Sequence, residues 1–228
     1  MNGGLRLLIL AIETSNVYLS IAVEKDGEVL LDYSEKVPMR HSEIILPIIT
    51  ELFTHLKIQV PDLDRIGVSI GPGMFTALRI GLALTKGLAF PYKIPVVPVN
   101  TLDGLALPYL GLADYVMPIT DARRGLLYTA QYSNDGIQTE YLLIKPEDFH
   151  TLIKGPTIII GDGVNRYQKI IESLKPEAII PEPNPSFPDA RIIAQLARRG
   201  EPVPIDRLEP FYLKKSDAEI DNPEKDAH

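Results

Sequence analysis

The sequence holds no cysteine. That absence excludes disulfide frameworks, thiolate nucleophiles and Cys-ligated zinc or iron–sulfur sites. No stretch approaches the roughly 20 apolar residues that a membrane-spanning helix needs. The four histidines, His41, His55, His150 and His228, share no His-x-x-x-His or similar spacing, so no metal site is signalled. No Gly-x-Ser-x-Gly elbow is present. Positive charge is in deficit: 23 Lys and Arg against 30 Asp and Glu leave a net charge of -7. This argues against a stand-alone nucleic-acid binder, because phosphate neutralisation needs clustered cations. Contact with RNA would require a local patch or a basic partner.

What is present is a chain of 228 residues, 45% hydrophobic, enough to bury a sizeable core in one large domain or two small ones. The apolar start from Met1 to Leu10 has no small-x-small cleavage site and runs directly into Glu13, Thr14 and Ser15. It reads as a buried first strand of a cytoplasmic protein. Residues 5–12 and 17–24 are strand-like, Asp26-Gly27 is a hairpin signal, and residues 29–33 return. Ser42 stands as an N-cap before a helix whose apolar residues fall at 44, 45, 48, 49, 52, 53 and 56. Residues 66–70 form a strand that ends in Gly71-Pro72-Gly73, a second helix runs over about 75–89, and 96–99 is another strand.

The second half repeats the opening. A strand over 116–120 is followed by alternating residues 126–132, a turn at Asn134-Asp135-Gly136 and a return over 138–144. Aligning Ile12 with Ile119 sets Glu13-Thr14 beside Thr120-Asp121, which points to internal duplication. A strand (157–160), a helix (about 165–174), a short strand (178–180) and a helix (about 189–199) follow. A meander followed by alternating helices and strands, twice over, is the ribonuclease H-like pattern of the actin-like superfamily. The expected fold is α/β, with mixed sheets flanked by helices. One ribonuclease H-like lobe is expected over residues 1–100 and another over 101–220, with a frayed tail at 221–228. Fold alone does not give function.

Gly71-Pro72-Gly73 ends a strand and opens a helix, a favourable place for an anion, although a tight turn that binds nothing accounts for it better, since Gly-Pro-Gly is not a Walker loop. Thr76 is a candidate cap of that helix. Glu13 and Thr14 end the first strand and Asp121 ends its counterpart, where superfamily members face nucleotide phosphates and metal. A facing pair of Glu13 and Asp121 would hold Mg2+ through oxygen ligands. Gly161-Asp162-Gly163 is a short, incomplete version of the superfamily's late adenosine motif. The helix over 75–90 is apolar nearly all round, and such a helix is buried nearly all round. Ala77, Gly81 and Thr85 form one small-residue column and Ala83 with Gly87 another; the first helix carries the columns 44/48/52 and 45/49/53/56. A small α/β domain leaves its outer helix faces wet, so these helices suggest a protein interface.

From Gly71 to Gly81 the sequence Gly-Pro-Gly-Met-Phe-Thr-Ala-Leu-Arg-Ile-Gly resembles the bacterial TsaB (YeaZ) family, whose usual form has Ser and Gly where Met74 and Ala77 stand. Supporting matches are Ala11-Ile12-Glu13-Thr14-Ser15, His41-Ser42-Glu43, Asp121-Ala122-Arg123-Arg124-Gly125 with Tyr128, and Pro210-Phe211-Tyr212-Leu213. The resemblance implies a non-catalytic paralogue of TsaD, which transfers a threonylcarbamoyl group to adenosine 37 of tRNA. Thr101 and Leu105 stand where TsaD-type proteins carry metal-binding histidines. The implied role is a scaffold with a TsaD-type transferase and a TsaE-type ATPase as partners. It would form a homodimer when alone and meet tRNA only through the complex. The implied interface uses Ile45, Ile49 and Leu52 of the first helix with Ala77, Leu78, Gly81, Leu82 and Thr85 of the second. ATP or ADP with Mg2+ would bind weakly at a partner interface, with contacts from Glu13, Thr14, Gly71, Gly73, Asp121, Gly161 and Gly163. The alternative is an ATP-dependent phosphotransferase of the same superfamily. A metalloprotease lacks paired histidines and a nucleophile.

Overall fold

The computed structural model describes residues 7–174 and 178–213. The chain opens with β1 (Leu8–Glu13), β2 (Tyr18–Lys25) and β3 (Glu28–Lys36) as an antiparallel meander. Asp26 and Gly27 turn it with φ of 55° and 96°, the positive values that a type I′ turn requires. Helix α1 (His41–Leu56) begins two residues earlier than a cap at Ser42 would set it. Arg40 holds the cap position, its side chain on Glu43 (3.1 Å) rather than on the helix amides, and Ser42 lies exposed in the first turn rather than capping. The unit β4 (Arg65–Gly71), α2 (Phe75–Ala89) and β5 (Val96–Asn100) follows, with β4 parallel to both β1 and β5. Thr76 does not cap α2; Met74 stands there, again without a side-chain bond.

A short helix absent from the sequence reading, α3 (Thr101–Ala106), comes next, capped by Asn100 Oδ1, which accepts from Leu102 N at 2.8 Å. The second half runs β6 (Tyr115–Asp121), β7 (Leu127–Thr129), β8 (Tyr132–Ser133), β9 (Gly136–Ile137), β10 (Leu142–Ile144) and β11 (Thr157–Ile160). It continues with α4 (Asp162–Leu174), β12 (Ala178–Ile179) and α5 (Ala190–Arg199). The expected continuous strands over 126–132 and 138–144 are each broken. The reason lies at Gln131, whose amide donates to Thr139 Oγ1 (3.0 Å) and whose Nε2 donates to the Leu152 carbonyl (2.8 Å). Side chains there replace ladder partners.

The strand order is β3-β2-β1-β4-β5 in the first sheet and β10-β7-β6-β11-β12 in the second, with β8 and β9 off that path. The central strands β1 and β6 each pair antiparallel on one side and parallel on the other. Ile12 and Ile119 occupy these two central strands, so the suspected repeat is a repeat of topology. The fold is the two-sheet, ribonuclease H-like architecture of actin-like proteins.

The strands of the two sheets divide at residue 100, but the helices that cover them do not. Helix α5 crosses back, and its Ala190, Ile193, Ala194 and Ala197 pack on Ile9, Ala11, Val97 and Val99 of the first sheet. Conversely, Leu102, Leu105 and Ala106 of α3 join the core of the second sheet. The layer over the first sheet is therefore not confined to residues 1–100, and residues 221–228 lie outside the described ones. Two features draw α5 down. Gly67 leaves room where a Cβ would come within 2.6 Å of Ala197 Cβ. Arg65 Nη1 donates to the carbonyls of Ala197 (3.0 Å), Arg198 (3.3 Å) and Gly200 (3.0 Å) at the negative end of the helix. Among the described residues no helix is long and apolar enough to cross a membrane.

Gly67→Ala is expected to cost about 1–3 kcal/mol, the range for overpacking a tight core. Urea unfolding checks it: an unchanged midpoint and slope would contradict the packing of α5 on β4.

Candidate functional site: the interlobe cleft and the outer helix face

The ends of β1 and β4 meet the ends of β6 and β11 across a cleft. Ser15, Gly73 and Thr101 line it from one side, and Thr120, Asp121 and Asp162 from the other. Its cavity volume is about 50 Å³, so the cleft is narrow. The loop after β4 closes it. Gly73 presses against Ser15 so closely that a Cβ would collide with the Ser15 carbonyl oxygen, and Met74 N donates to that oxygen at 2.6 Å. The Met74 amide is thus engaged within the chain rather than offered to an anion.

The residues expected at a nucleotide divide in two. Gly73 and Asp121 do face the cleft, joined by Asp162. Glu13 and Thr14 do not: both are fully buried. Glu13 Oε1 accepts from the Ser15 amide, while Glu13 Oε2 and Thr14 Oγ1 have no partner among the described residues. Burial pushes the Glu13 carboxyl up to about 7, against the lowering pull of its bonds to Ser15 and Ser69. Asp121 is held by Arg166 Nη1 at 2.7 Å. The expected Glu13–Asp121 pair therefore does not face a metal. Gly71 is buried with φ of 113°, and a Cβ there would stand 2.9 Å from the Phe211 carbonyl oxygen. Gly161 and Gly163 are packing residues against Ile119, and Gly161 exchanges two hydrogen bonds with the Asn184 side chain. These residues do not fit a nucleotide with Mg2+ in this cleft.

Asp162 is the site residue that the sequence reading missed as such. It accepts from the Asp121 amide at 2.9 Å, and burial raises its carboxyl to about 6. Arg123 stands at the cleft mouth with φ of 63°, its amide on Asp121 Oδ1 at 2.9 Å. His41 is buried at the start of α1, its Nε2 donating to the Tyr18 carbonyl at 3.2 Å, a local structural role. Among the described residues no group of three or more His, Cys, Asp or Glu could hold a metal ion. Where metal ligands would stand in a TsaD-type stretch, Thr101 and Leu105 are buried. Asp103 between them accepts the hydroxyls of Tyr132 (2.6 Å) and Tyr141 (2.9 Å).

The helices require a larger correction. Ile45 and Ile49 of α1 and Ala77, Leu78, Gly81, Leu82 and Thr85 of α2 are buried inside this chain, so none can meet a partner. Gly81 is pressed onto Thr14, with which a Cβ would collide. The reason is the direction in which α2 packs: its Ala77/Gly81/Thr85 column lets the helix approach β1, not another protein. Only Leu52 of the expected set is part-exposed. The reachable apolar surface is the opposite side. Ile80, Leu84 and Leu88 are half-buried, and Ala83 and Gly87 are exposed with open space around Gly87. On α1, Ile44, Ile48 and Leu52 are half-buried and Leu46 is 50% exposed. Phe90, just past α2, is 71% exposed.

The sheet order, the glycine-tight loop at Gly71–Gly73 and the narrow cleft define a class: an actin-like, two-lobed α/β protein. Comparison narrows it. The family profile of TsaD, tRNA N6-adenosine threonylcarbamoyltransferase, matches residues 34–178. The protein TsaB of Bacillus subtilis, a tRNA threonylcarbamoyladenosine biosynthesis protein, is 30% identical over 221 residues, covering 93% of this chain and 96% of that one. TsaB of Escherichia coli is 30% identical over 224 residues, covering 91% and 95%. A solved structure of YeaZ from Pseudomonas aeruginosa superposes with a TM-score of 0.73 at 26% identity, over 91% of this chain and 100% of that chain. Another, described as similar to peptidase YeaZ from that organism, reaches 0.80 at 26% identity over the same shares. The chain belongs to the TsaB (YeaZ) family.

The buried Glu13 gives a pH test. Its folded pKa, about 7, lies above the ordinary 4.5, so the folded state holds the proton more tightly. The stabilisation is present below about pH 4.5 and is lost as pH rises to about 7. Glu13→Gln removes this dependence. Between pH 4.5 and 7.5, unfolding free energies should shift in favour of the variant by up to about 3 kcal/mol. Urea titrations of both chains that stay parallel across this range would contradict the burial of this carboxyl, one oxygen of which has no partner among the described residues.

Proposed function

We propose that this chain is a non-catalytic scaffold subunit in tRNA threonylcarbamoyladenosine biosynthesis, binding a TsaD-type transferase through the outward face of α1 and α2. Family membership supports the process. The observation that carries the scaffold role is the pairing of a closed cleft with an apolar outer helix face. The cleft between the sheets holds only about 50 Å³, its loop amide is engaged by Ser15, and its Asp121 is tied to Arg166. The outer face of α2 offers Ala83 and Gly87, exposed small residues beside half-buried Ile80 and Leu84. Small residues let a second helix approach closely, and aliphatic neighbours supply apolar area.

On this reading the face pairs with a second copy when the chain is alone and with the transferase when that is present. A TsaE-type ATPase joins the assembly, and tRNA is met only through the complex, consistent with the net charge of -7. ATP or ADP with Mg2+ binds weakly, and only where a partner completes the site.

The central experiment is modification of tRNA by the source organism's own TsaD-type transferase, TsaE-type ATPase and threonylcarbamoyl-adenylate synthase, with and without this chain. Modification should need the chain, while the chain alone neither modifies tRNA nor turns over ATP. Unchanged modification without it would overturn the reading. Gly87→Trp is expected to abolish co-elution with the transferase and leave the melting temperature within a few degrees, since the position faces open space. Gly81→Leu should instead unfold the chain, because the inner face has no room beside Thr14. Normal co-elution of the Gly87 variant would place the interface elsewhere.

A further inference from the structure

The segment after α5 returns along the molecule as a strap over residues 208–213. Its backbone is fixed at one point: Phe211 N donates to the Ile70 carbonyl at 2.8 Å, beside Gly71 at the end of β4. From there its side chains diverge. Tyr212 stacks on Phe75, the first residue of α2, with ring centroids 4.8 Å apart, and its hydroxyl accepts from Arg79 Nε at 3.1 Å. Arg79 itself lies 3.7 Å over the Phe75 ring. Phe211 turns the other way and meets Tyr141 of the second lobe edge-on, at 5.3 Å and 68°. Tyr141 in turn bonds Asp103 of α3 through both carboxylate oxygens, at 2.9 and 3.0 Å. Leu213 packs on the second core.

We propose that this strap is a coupling latch. It ties the Asp103–Tyr141 contact of the second lobe to the N-terminal turns of α2, so that loosening one loosens the other. The chemistry suits such a role. Asp103 is a half-buried carboxylate whose partners among the described residues are two phenol hydroxyls, and burial raises its pKa, so it depends on them for solvation. The two phenols are not equivalent. Tyr132 is anchored within the second sheet by its pairing with Val116 and Ile137. Tyr141 lies between β9 and β10 and carries the strap.

Hydrogen exchange on the isolated full-length chain tests the latch through two matched variants. Tyr141→Phe and Tyr132→Phe each remove hydroxyl contact with Asp103 and leave a ring in place. Rates are read relative to the amides of β1 and β6 in the same sample, which corrects for a global loss of stability. Tyr141→Phe should speed exchange at Phe211 and at residues 78–82 by about five-fold or more. Tyr132→Phe should speed it at 102–106 and leave 78–82 unchanged. Phe211→Leu should reproduce the α2 effect, and combining it with Tyr141→Phe should add nothing further there. Equal patterns for the two tyrosine variants, or an unchanged α2 in Tyr141→Phe, would overturn the latch. Its consequence for the outer face of α2 rests on the proposed function; the exchange test needs no partner and stands or falls without that reading.

Discussion

The close approach of α2 to the end of β1 is the constraint on which the rest depends. Gly73 and Gly81 are the two points of approach, against Ser15 and Thr14. Neither position admits a Cβ, so the helix is fixed in height and rotation over the strand end. That rotation buries Ala77, Leu78 and Thr85 and turns Ala83 and Gly87 outward. It also brings the loop amide of Met74 onto the Ser15 carbonyl and narrows the cleft there. Glu13 is then left within the protein with one oxygen unpartnered and its proton held tightly. A single steric fact thus sets the buried face, the closed cleft and the raised carboxyl.

The two sheets share strand order yet are not built equally. Strands β2 and β3 run eight and nine residues, whereas their counterparts β7 and β10 run three each. The second sheet makes up for its short ladders with side-chain bonds at Gln131 and Asp103 and with an α3 that comes from the connection between the lobes. The first sheet is covered on one face by α1 and α2 and on the other by α5, which arrives from the far end of the chain. The lobes are thereby interlocked: each takes a helix from beyond the simple division of the sequence. Such an arrangement resists opening more than two contiguous lobes would, in keeping with a cleft that has little volume to open.

Local chemistry was legible in the sequence and long-range choices were not. Asp26-Gly27, the strand over 157–160 and the span of α2 could be read from turn residues and periodicity, and the structure places them as read. The inward face of α2 could not. A helix that is apolar nearly all round gives no preferred stripe, so the Ala77/Gly81/Thr85 column was read as the partner face when the Ala83/Gly87 column is the exposed one. Only the position of Thr14 decides between them. The short α3 escaped notice because six residues carry too little periodicity, although Asn100 before it was a cap signal. The return of α5 to the first sheet depends on Gly67 and Arg65, more than a hundred residues away, and no local pattern announces it. Asp162 was visible within its glycine pair, yet the glycines drew attention as a nucleotide motif when they serve to pack against Ile119.

The inner and outer faces of α2 bear on one another. A helix that had to rock open to admit a nucleotide could not also present a fixed surface, because each opening would move Ala83 and Gly87 relative to α1. Locking the inner face with Gly81 on Thr14, and the N-terminal turn with Phe75 under Tyr212, removes that motion. Preorganisation of this kind lowers the ordering cost of binding. The loss of cleft volume and the exposure of an apolar helix face are therefore two results of the same packing. On the proposed reading, the packing that narrows the cleft also steadies the helix face at which a partner would dock.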